Sequence, residues 1–526
     1  MNKRIAIGVV LIAAVVIVGV LLIQRRSRNA ISTAPFPPFP ASEPTQQPVA
    51  EDFLGSQACA TCHRQQYDVW RASTHGRAGG EPARDLLLRD FDGTPIRFRD
   101  ATVTPRVING RYAFDVQPAD GDGQLIVVDG VVGGGHLVGG GTQGFFTRHA
   151  DGTMRFLPFE IVRAGTAWFC NTSTRANRGW VQITPDMSLA DCGDWPPVRV
   201  LGTSTRFASC QECHGSQIQL ERTQGERPFA TRYRELSINC ESCHGPGRKH
   251  VQLVRAGSTS REDDVGMVSL ATLDKDRSLE VCFRCHALKD ALVPGYLPGR
   301  DLEQYYSLKL PLVGNRDLQP DGRTRTFAYQ QGHLYSDCYL SGSMTCVDCH
   351  EPHGQGYRDV NGKALPSRFN DGQCTGCHAS KAVNPQLHTH HTAASEGSRC
   401  VACHMPYLQQ SDVGSHLRYA RSDHTIPVPR PQWDTRMGVQ LSCSNCHREM
   451  QYDALDRAVR NWYGELKPQR PLVVALADAS DAESAGLTAL LALKDTTSHT
   501  ALLFNAIAQY LSEIRRADER GVPRRL

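Results

Sequence analysis

Hydrophobic positions change their spacing several times along this 526-residue chain, and each change predicts a different kind of structure. Ile5 to Ile23 is an unbroken apolar run without a charge, following Lys3 and Arg4. At 1.5 Å per residue it reaches roughly 28 Å, enough to cross a bilayer. Arg25, Arg26 and Arg28 follow directly, with no small-x-small cleavage site, so residues 1–28 read as an uncleaved signal-anchor helix. Residues 29–50 are Pro-rich and read as an extended tether. Residues 51–80 form a short first segment. From 81 to 205 apolar and polar residues alternate between turn signals: Arg111 to Val116 and Gln124 to Val128 read as strands, and Asn109-Gly110, Asp129-Gly130 and Asp151-Gly152 as turns. Residues 206–447 show no sustained period and many turn residues. Helical spacing returns in 448–526, at 450–466, 472–479, 485–493 and 500–514.

A glycine run, Gly133 to Gly141 around His136, tempts one toward a nucleotide loop. It lacks the Lys-Ser/Thr of a phosphate-binding loop and any strand–helix–strand context. Tight turns, or close approach of backbone to something flat, explain it better.

Composition narrows the class. Hydrophobic residues make up 40% and charged residues 21%, which excludes wholesale disorder and a polytopic membrane protein. Lys+Arg 58 against Asp+Glu 54 is too balanced for a nucleic-acid binder. Cys 19 and His 20 stand out. Sixteen cysteines fall into eight Cys-x-x-Cys-His motifs: Cys59, Cys62 and His63; Cys210, Cys213 and His214; Cys240, Cys243 and His244; Cys282, Cys285 and His286; Cys346, Cys349 and His350; Cys374, Cys377 and His378; Cys400, Cys403 and His404; Cys443, Cys446 and His447. This is the attachment signature of c-type haem. Two thiols three positions apart reach the two vinyl groups of one haem, and the adjacent imidazole lies beneath the iron. Zinc ribbons are the competing explanation, but zinc does not require a His after every second Cys. Eight covalent haems also fix the side of the membrane. They are attached outside the bacterial cytoplasm, so the chain beyond residue 28 is expected in the periplasm, single-pass in the inner membrane.

Seven motifs crowd between Cys210 and His447, too little chain for an ordinary apolar core around each cofactor. The haems themselves are expected to form the core, nearly in contact. The fold expected is therefore a multihaem cytochrome c, mostly α and irregular around a haem core, with a β-rich insert and a small α-helical C-terminal domain.

Twelve further histidines remain. A haem with two imidazoles only moves electrons, whereas one with an open side can bind a substrate. By local context His75, His250, His353 and His424 are the leading second ligands. His353 lies three residues from His350 and should serve a neighbouring haem. His333, His416 and one of His388, His390 and His391 (His390 is taken) follow. His136 and His149 rank lower, and His499 reads as a helix-surface residue. Of the cysteines left over, Cys170 and Cys192 lie in the β-rich stretch and could pair. Cys338 could be a buried thiol, an axial sulfur or a reactive thiol, and the buried thiol is favoured.

These motifs carry a family resemblance. Cys59-Ala-Thr-Cys-His63 with Trp70 and His75, Cys240-Glu-Ser-Cys-His-Gly-Pro-Gly247 with His250, and Cys346-Val-Asp-Cys-His-Glu-Pro-His353 are three of its carriers. Cys400-Val-Ala-Cys-His-Met-Pro406 and Arg421-Ser-Asp-His-Thr-Ile-Pro-Val-Pro-Arg-Pro431 are the others. Over residues 53–450 the chain resembles octahaem c-type cytochromes of the cytochrome c554 / nitrite-reductase-like superfamily, in particular members with C-terminal helical repeats. The resemblance implies bis-His haems in parallel and perpendicular pairs and a role in respiratory electron transfer. Two departures count. No motif replaces His by the Lys of nitrite-reducing relatives, and no motif marks a Tyr as the cross-linker of hydroxylamine-oxidising ones.

The expected function is an anchored periplasmic electron carrier. Its donor would be a quinol-oxidising membrane protein or a small cytochrome, and its acceptor a periplasmic redox protein. An oxidoreductase acting on a small nitrogen or sulfur species at one open haem is the first alternative. A subunit of a larger membrane complex is the second. One observation separates carrier from enzyme: whether any haem lacks a second ligand.

Overall fold

The structure is a computed structural model. It describes residues 48–89, 91–134, 142–162, 167–172, 179–202, 213–258, 265–309, 318–324, 328–409 and 420–478, all within one compact unit, Gln46–Leu526. The anticipated anchor at 5–23, most of the tether, the helices at 485–493 and 500–514, and Cys210, His136, His416 and His499 lie outside the described residues. Among the described residues no helix is long and apolar enough to cross a membrane.

The first half is built of strands. β1 (Gly79–Gly80), β2 (Ile96–Arg97), β3 (Ala101–Ile108), β4 (Arg111–Pro118) and β5 (Gln124–Val127) are followed by β6 (Gly130–Gly133) and β7 (Thr142–Arg148). β8 (Met154–Phe156), β9 (Glu160–Val162), β10 (Trp168–Thr172) and β11 (Gly179–Gln182) complete the set. β2 to β5 form one antiparallel sheet in sequence order. The second sheet runs β1-β6-β7-β9-β10-β11, with β8 on the side of β7. The β3–β4 hairpin shows why. Ile108 pairs with Arg111 across a two-residue turn, Asn109-Gly110, in which both residues take positive φ, 50° and 75°. Asn-Gly tolerates that conformation, and its twist matches the strands it joins. Phe114 and Val116 then point inward to meet Val103, Ile126, Phe145, Phe159 and Trp168 in one aromatic-rich core shared by the two sheets. The Cys170–Cys192 disulfide closes this core.

The second half, together with the opening segment 48–78, is short helices, single turns and two-stranded ribbons. The longer helices are α1 (Arg64–Ala72), α2 (Arg248–Arg255), α3 (Lys275–His286), α4 (Pro431–Met437), α5 (Tyr452–Tyr463) and α6 (Pro471–Asp478). The architecture is thus mixed helix and sheet. The expected β-rich insert closes into two sheets, and the haem half adds short two-stranded ribbons to the short helices and irregular chain expected around the haems. A separate apolar cluster also exists in this half. Leu279, Phe283, Leu302, Tyr305 and Tyr335 pack against Leu472 and Leu476 of α6. Arg470 donates to the Tyr335 carbonyl at 2.7 Å, and Lys467 pairs with Asp337 at 2.7 Å. The start of the helical tail is therefore a packing element of the second half.

Candidate haem-binding site

The described motifs close on a helical turn, that of His286 at the end of α3. The His amide donates to the carbonyl of the first Cys at 2.9 Å for His63, His350 and His378, 3.0 Å for His244 and 2.8 Å for His447. This four-residue closure puts both thiols and the imidazole on one side of the turn. That side faces a cavity of about 3130 Å³ that runs through the second half. The cavity is lined by the described motif cysteines except Cys446, and by every motif imidazole except His447. His75, His250, His333, His353, His388, His391 and His424 line it too.

The imidazoles meet in pairs. Ring centres lie 6.2 Å apart for His63 and His250, 6.1 Å for His75 and His286, 6.2 Å for His244 and His353, 6.4 Å for His350 and His424, 6.1 Å for His388 and His404, and 6.0 Å for His391 and His447. An imidazole nitrogen binds a first-row metal at about 2 Å, so two rings on opposite faces of one iron stand roughly 6 Å apart centre to centre. Rings stacked directly would be closer. The gaps therefore fit one haem iron each, and the cavity supplies the space for the macrocycles.

Other atoms orient these rings. His244 Nδ1 contacts the Val268 carbonyl at 2.7 Å, His250 that of Val265 at 2.7 Å, and His391 that of Thr389 at 2.6 Å. His404 contacts the Pro427 carbonyl and His424 that of Ser422, both at 2.9 Å. An Nδ1 proton donated there leaves Nε2 free for the metal. Burial keeps the rings neutral. It lowers the pKa of His75 and His350 to about 4 and of His286 to about 3, with the His75 charge a smaller influence on the last.

The thiols show how the sites follow one another. Cys59 is in hydrogen-bonding contact with Cys240, Cys213 with Cys285, Cys282 with Cys346, and Cys374 with Cys400. Cys243 is near Cys282, Cys349 near Cys374, and Cys403 near Cys443. Numbered by motif, the sites run 1-3-4-5-6-7-8, and site 2 branches from site 4.

The family model for cytochrome c554 and c-prime matches residues 58–84, the first motif with its His75. The chain is similar to the dissimilatory sulfite reductase MccA of Wolinella succinogenes, 23% identical over 409 residues. That alignment covers 68% of this chain and 51% of the relative, so the chain spans about half the length of the curated relative it matches. Among solved structures, the outer cell wall cytochrome OcwA aligns with a TM-score of 0.46 at 16% identity, over 87% of this chain and 100% of that one. The Wolinella succinogenes octahaem sulfite reductase MccA, form II, aligns with a TM-score of 0.36 at 15% identity, over 73% of this chain and 60% of that one.

The chain is a multihaem c-type cytochrome. Its cofactor is covalently bound haem c.

Two motif imidazoles of the cytochrome, His214 and His378, face no second imidazole among the described residues. His378 is exposed, and half-buried Cys338 lies on the cavity wall near Cys374 and Cys377. The surroundings of site 2 are cationic and phenolic. Cys213 Sγ lies 3.9 Å from Lys289 Nζ and contacts the Arg284 carbonyl at 3.7 Å. The Arg284 guanidinium lies 5.9 Å from the centre of the Tyr296 ring. Arg284 Nε and Tyr296 Oη are buried and have no hydrogen-bond partner among the described residues.

Two expected ligands are corrected. His390 does not face a motif imidazole; its ring stacks on Trp462 at 4.5 Å, and its neighbours His388 and His391 take the places opposite His404 and His447. The cause is local. His390 adopts a left-handed conformation at the end of the 385–389 helix, and its ring lies against Trp462 and Tyr463. His333 lines the cavity, but Nε2 contacts the Met344 carbonyl at 3.0 Å and Nδ1 contacts Ser336 Oγ at 3.1 Å, so neither nitrogen is free. His149 lies off the cavity lining. Sequence reasoning missed Trp462, Arg284 and Lys289, since nothing in their local sequence points to a haem. It also passed over Glu351, although that residue stands inside a quoted motif.

Proposed function

We propose that this cytochrome passes electrons along closely spaced bis-His haems to or from site 2, where a small sulfur or nitrogen oxyanion is reduced or oxidised. The observation that carries the reading is His214, a motif imidazole on the cavity wall with no imidazole opposite it among the described residues, whose neighbouring thiol Cys213 stands beside Arg284 and Lys289. The haem there supplies electrons and a coordination position. Arg284 and Lys289 bind and orient the anion; the Arg284 guanidinium is held by Nη1 on the Ser242 carbonyl, and its Nε has no hydrogen-bond partner among the described residues. Burial pushes the Tyr296 phenol up, so it keeps its proton through neutral pH and can donate a hydrogen bond to an oxyanion. The similarity to a sulfite reductase favours a sulfur oxyanion as the first substrate to try. The test is carbon monoxide binding to the reduced protein combined with sulfite-dependent oxidation of a reduced viologen. Carbon monoxide should bind at one or two haems. Arg284→Gln should lower the turnover about 10²-fold without loss of haem. A protein that binds no carbon monoxide and turns over no oxyanion has no open site.

The six imidazole pairs favour a second reading, a sealed relay, in which every iron is six-coordinate and electrons only pass through. In both readings the apolar run at 5–23 anchors the chain in the inner membrane with its bulk in the periplasm. The donor is then a quinol-oxidising membrane protein or a small cytochrome, and in the relay the acceptor is a periplasmic redox protein. Resistance of the full chain to carbonate washing, against free release of a chain starting at Glu51, tests the anchor.

A further inference from the structure

Five of the second-ligand and motif imidazoles contact a backbone carbonyl through Nδ1, and one differs. His353 Nδ1 lies 3.0 Å from Glu351 Oε1, the single carboxylate on a paired imidazole among the described residues. The carboxylate is fixed as well as close. Glu351 Oε1 also accepts from the His353 amide at 3.1 Å, and Oε2 accepts from the Gly354 amide at 2.5 Å. When His353 binds iron through Nε2 opposite His244, Nδ1 carries the proton and donates it to Glu351.

A carbonyl and a carboxylate act differently on such a ring. A carboxylate acceptor draws the Nδ1 proton further and makes the imidazole a more basic, more anionic ligand. A more anionic ligand stabilises ferric over ferrous iron, so the potential of that haem falls. We propose that Glu351 is a positioning residue that sets potential and makes haem 3 the hardest to reduce of the bis-His haems. Haem 3 stands between haems 1 and 4, because Cys240 touches Cys59 and Cys243 is near Cys282. An electron moving between haem 1 and the rest of the series must cross an uphill station. Haem 1 is thereby separated energetically from the six beyond haem 3 while remaining in the chain of contacts. This inference rests on the pairing of His244 with His353 and is independent of whether site 2 is open.

The test is a potentiometric titration of the eight-haem protein, followed optically and by EPR, for the parent and for Glu351→Gln. The amide keeps the size of the side chain and removes its charge. The last bis-His haem to be reduced in the parent should shift to higher potential in Glu351→Gln and lose that place, while the other waves stay. Superimposable titrations would overturn the proposal, and so would a common shift of all waves, which would indicate a general structural effect. Should Glu351→Gln fail to assemble, His353→Met makes the assignment. A thioether ligand raises the potential of the haem that receives it, so the lowest bis-His wave should be the one to move. Movement of any other wave would sink the idea.

Discussion

The two halves of the cytochrome solve the problem of a core in opposite ways. In the β-rich half, two sheets bury Phe114, Phe145, Phe159 and Trp168 against one another, and a disulfide ties the chain from within. The haem half instead holds a cavity walled by thiols and imidazoles. Its own apolar cluster, around Leu279, Phe283, Leu302 and Tyr305, lies under only part of that wall. The first half is held by side chains it already owns, whereas the second is completed by groups attached to it. Stability should accordingly answer to different perturbations in the two halves.

Removing one haem is the largest blow. Changing Cys346 and Cys349 together to Ala should abolish the protease resistance of the haem half, because site 5 touches site 4 through Cys282 and site 6 through Cys374. The β-rich half should persist as a resistant fragment with its disulfide intact. Limited proteolysis with mass spectrometry reads both. A well-folded seven-haem protein in good yield would erase the contrast.

Acid should act in the same sense. A proton competes with iron for Nε2 of each paired imidazole, so acid attacks the ligands on which the haem half depends and spares the side-chain core of the sandwich. As pH is lowered the low-spin absorbance should decay while the strand signal in circular dichroism holds. Simultaneous loss of both would mean that the halves unfold as one.

A cavity in the sandwich reverses the asymmetry. Phe114 is fully buried, and Phe114→Ala should cost about 3–5 kcal/mol. Denaturant melts should show that loss in the strand signal, with an unchanged Soret band at neutral pH.

How far the sequence could foretell each half follows from the same difference. The hairpin was legible because Asn109-Gly110 and the alternation in 111–116 are local signals that act locally. The motif turns were legible because thiols and imidazole must share one face. The pairs were legible only in part. His75, His250, His353 and His424 stand opposite His286, His63, His244 and His350, but no spacing rule states which meets which, since the partners lie up to 211 residues apart in the case of His75 and His286. The environment of site 2 was not legible at all. Arg284 follows Phe283 inside a motif, and only the fold brings it to Cys213.

The three neighbours His388, His390 and His391 give the smallest effect and the sharpest separation. Three imidazoles in four positions look equivalent in the sequence, yet the backbone assigns them different work. The helix at 385–389 carries His388 toward His404, with ring planes 1° apart. The left-handed residue that ends the helix is His390, and the chain beyond it delivers His391 to His447. His390 is left against Trp462 of α5, where its stacking ties the helical tail to the 385–391 segment. His390→Ala should therefore cost only about 1 kcal/mol, the scale of one aromatic stack, and leave every low-spin EPR signal in place. His391→Ala should convert one haem to high spin and add one carbon monoxide site, with a similar or smaller loss of secondary structure. If His390→Ala were instead the change that opens a haem, the 4.5 Å stack would be a poor guide to the assembled protein, and His390 would have to leave Trp462 to reach an iron.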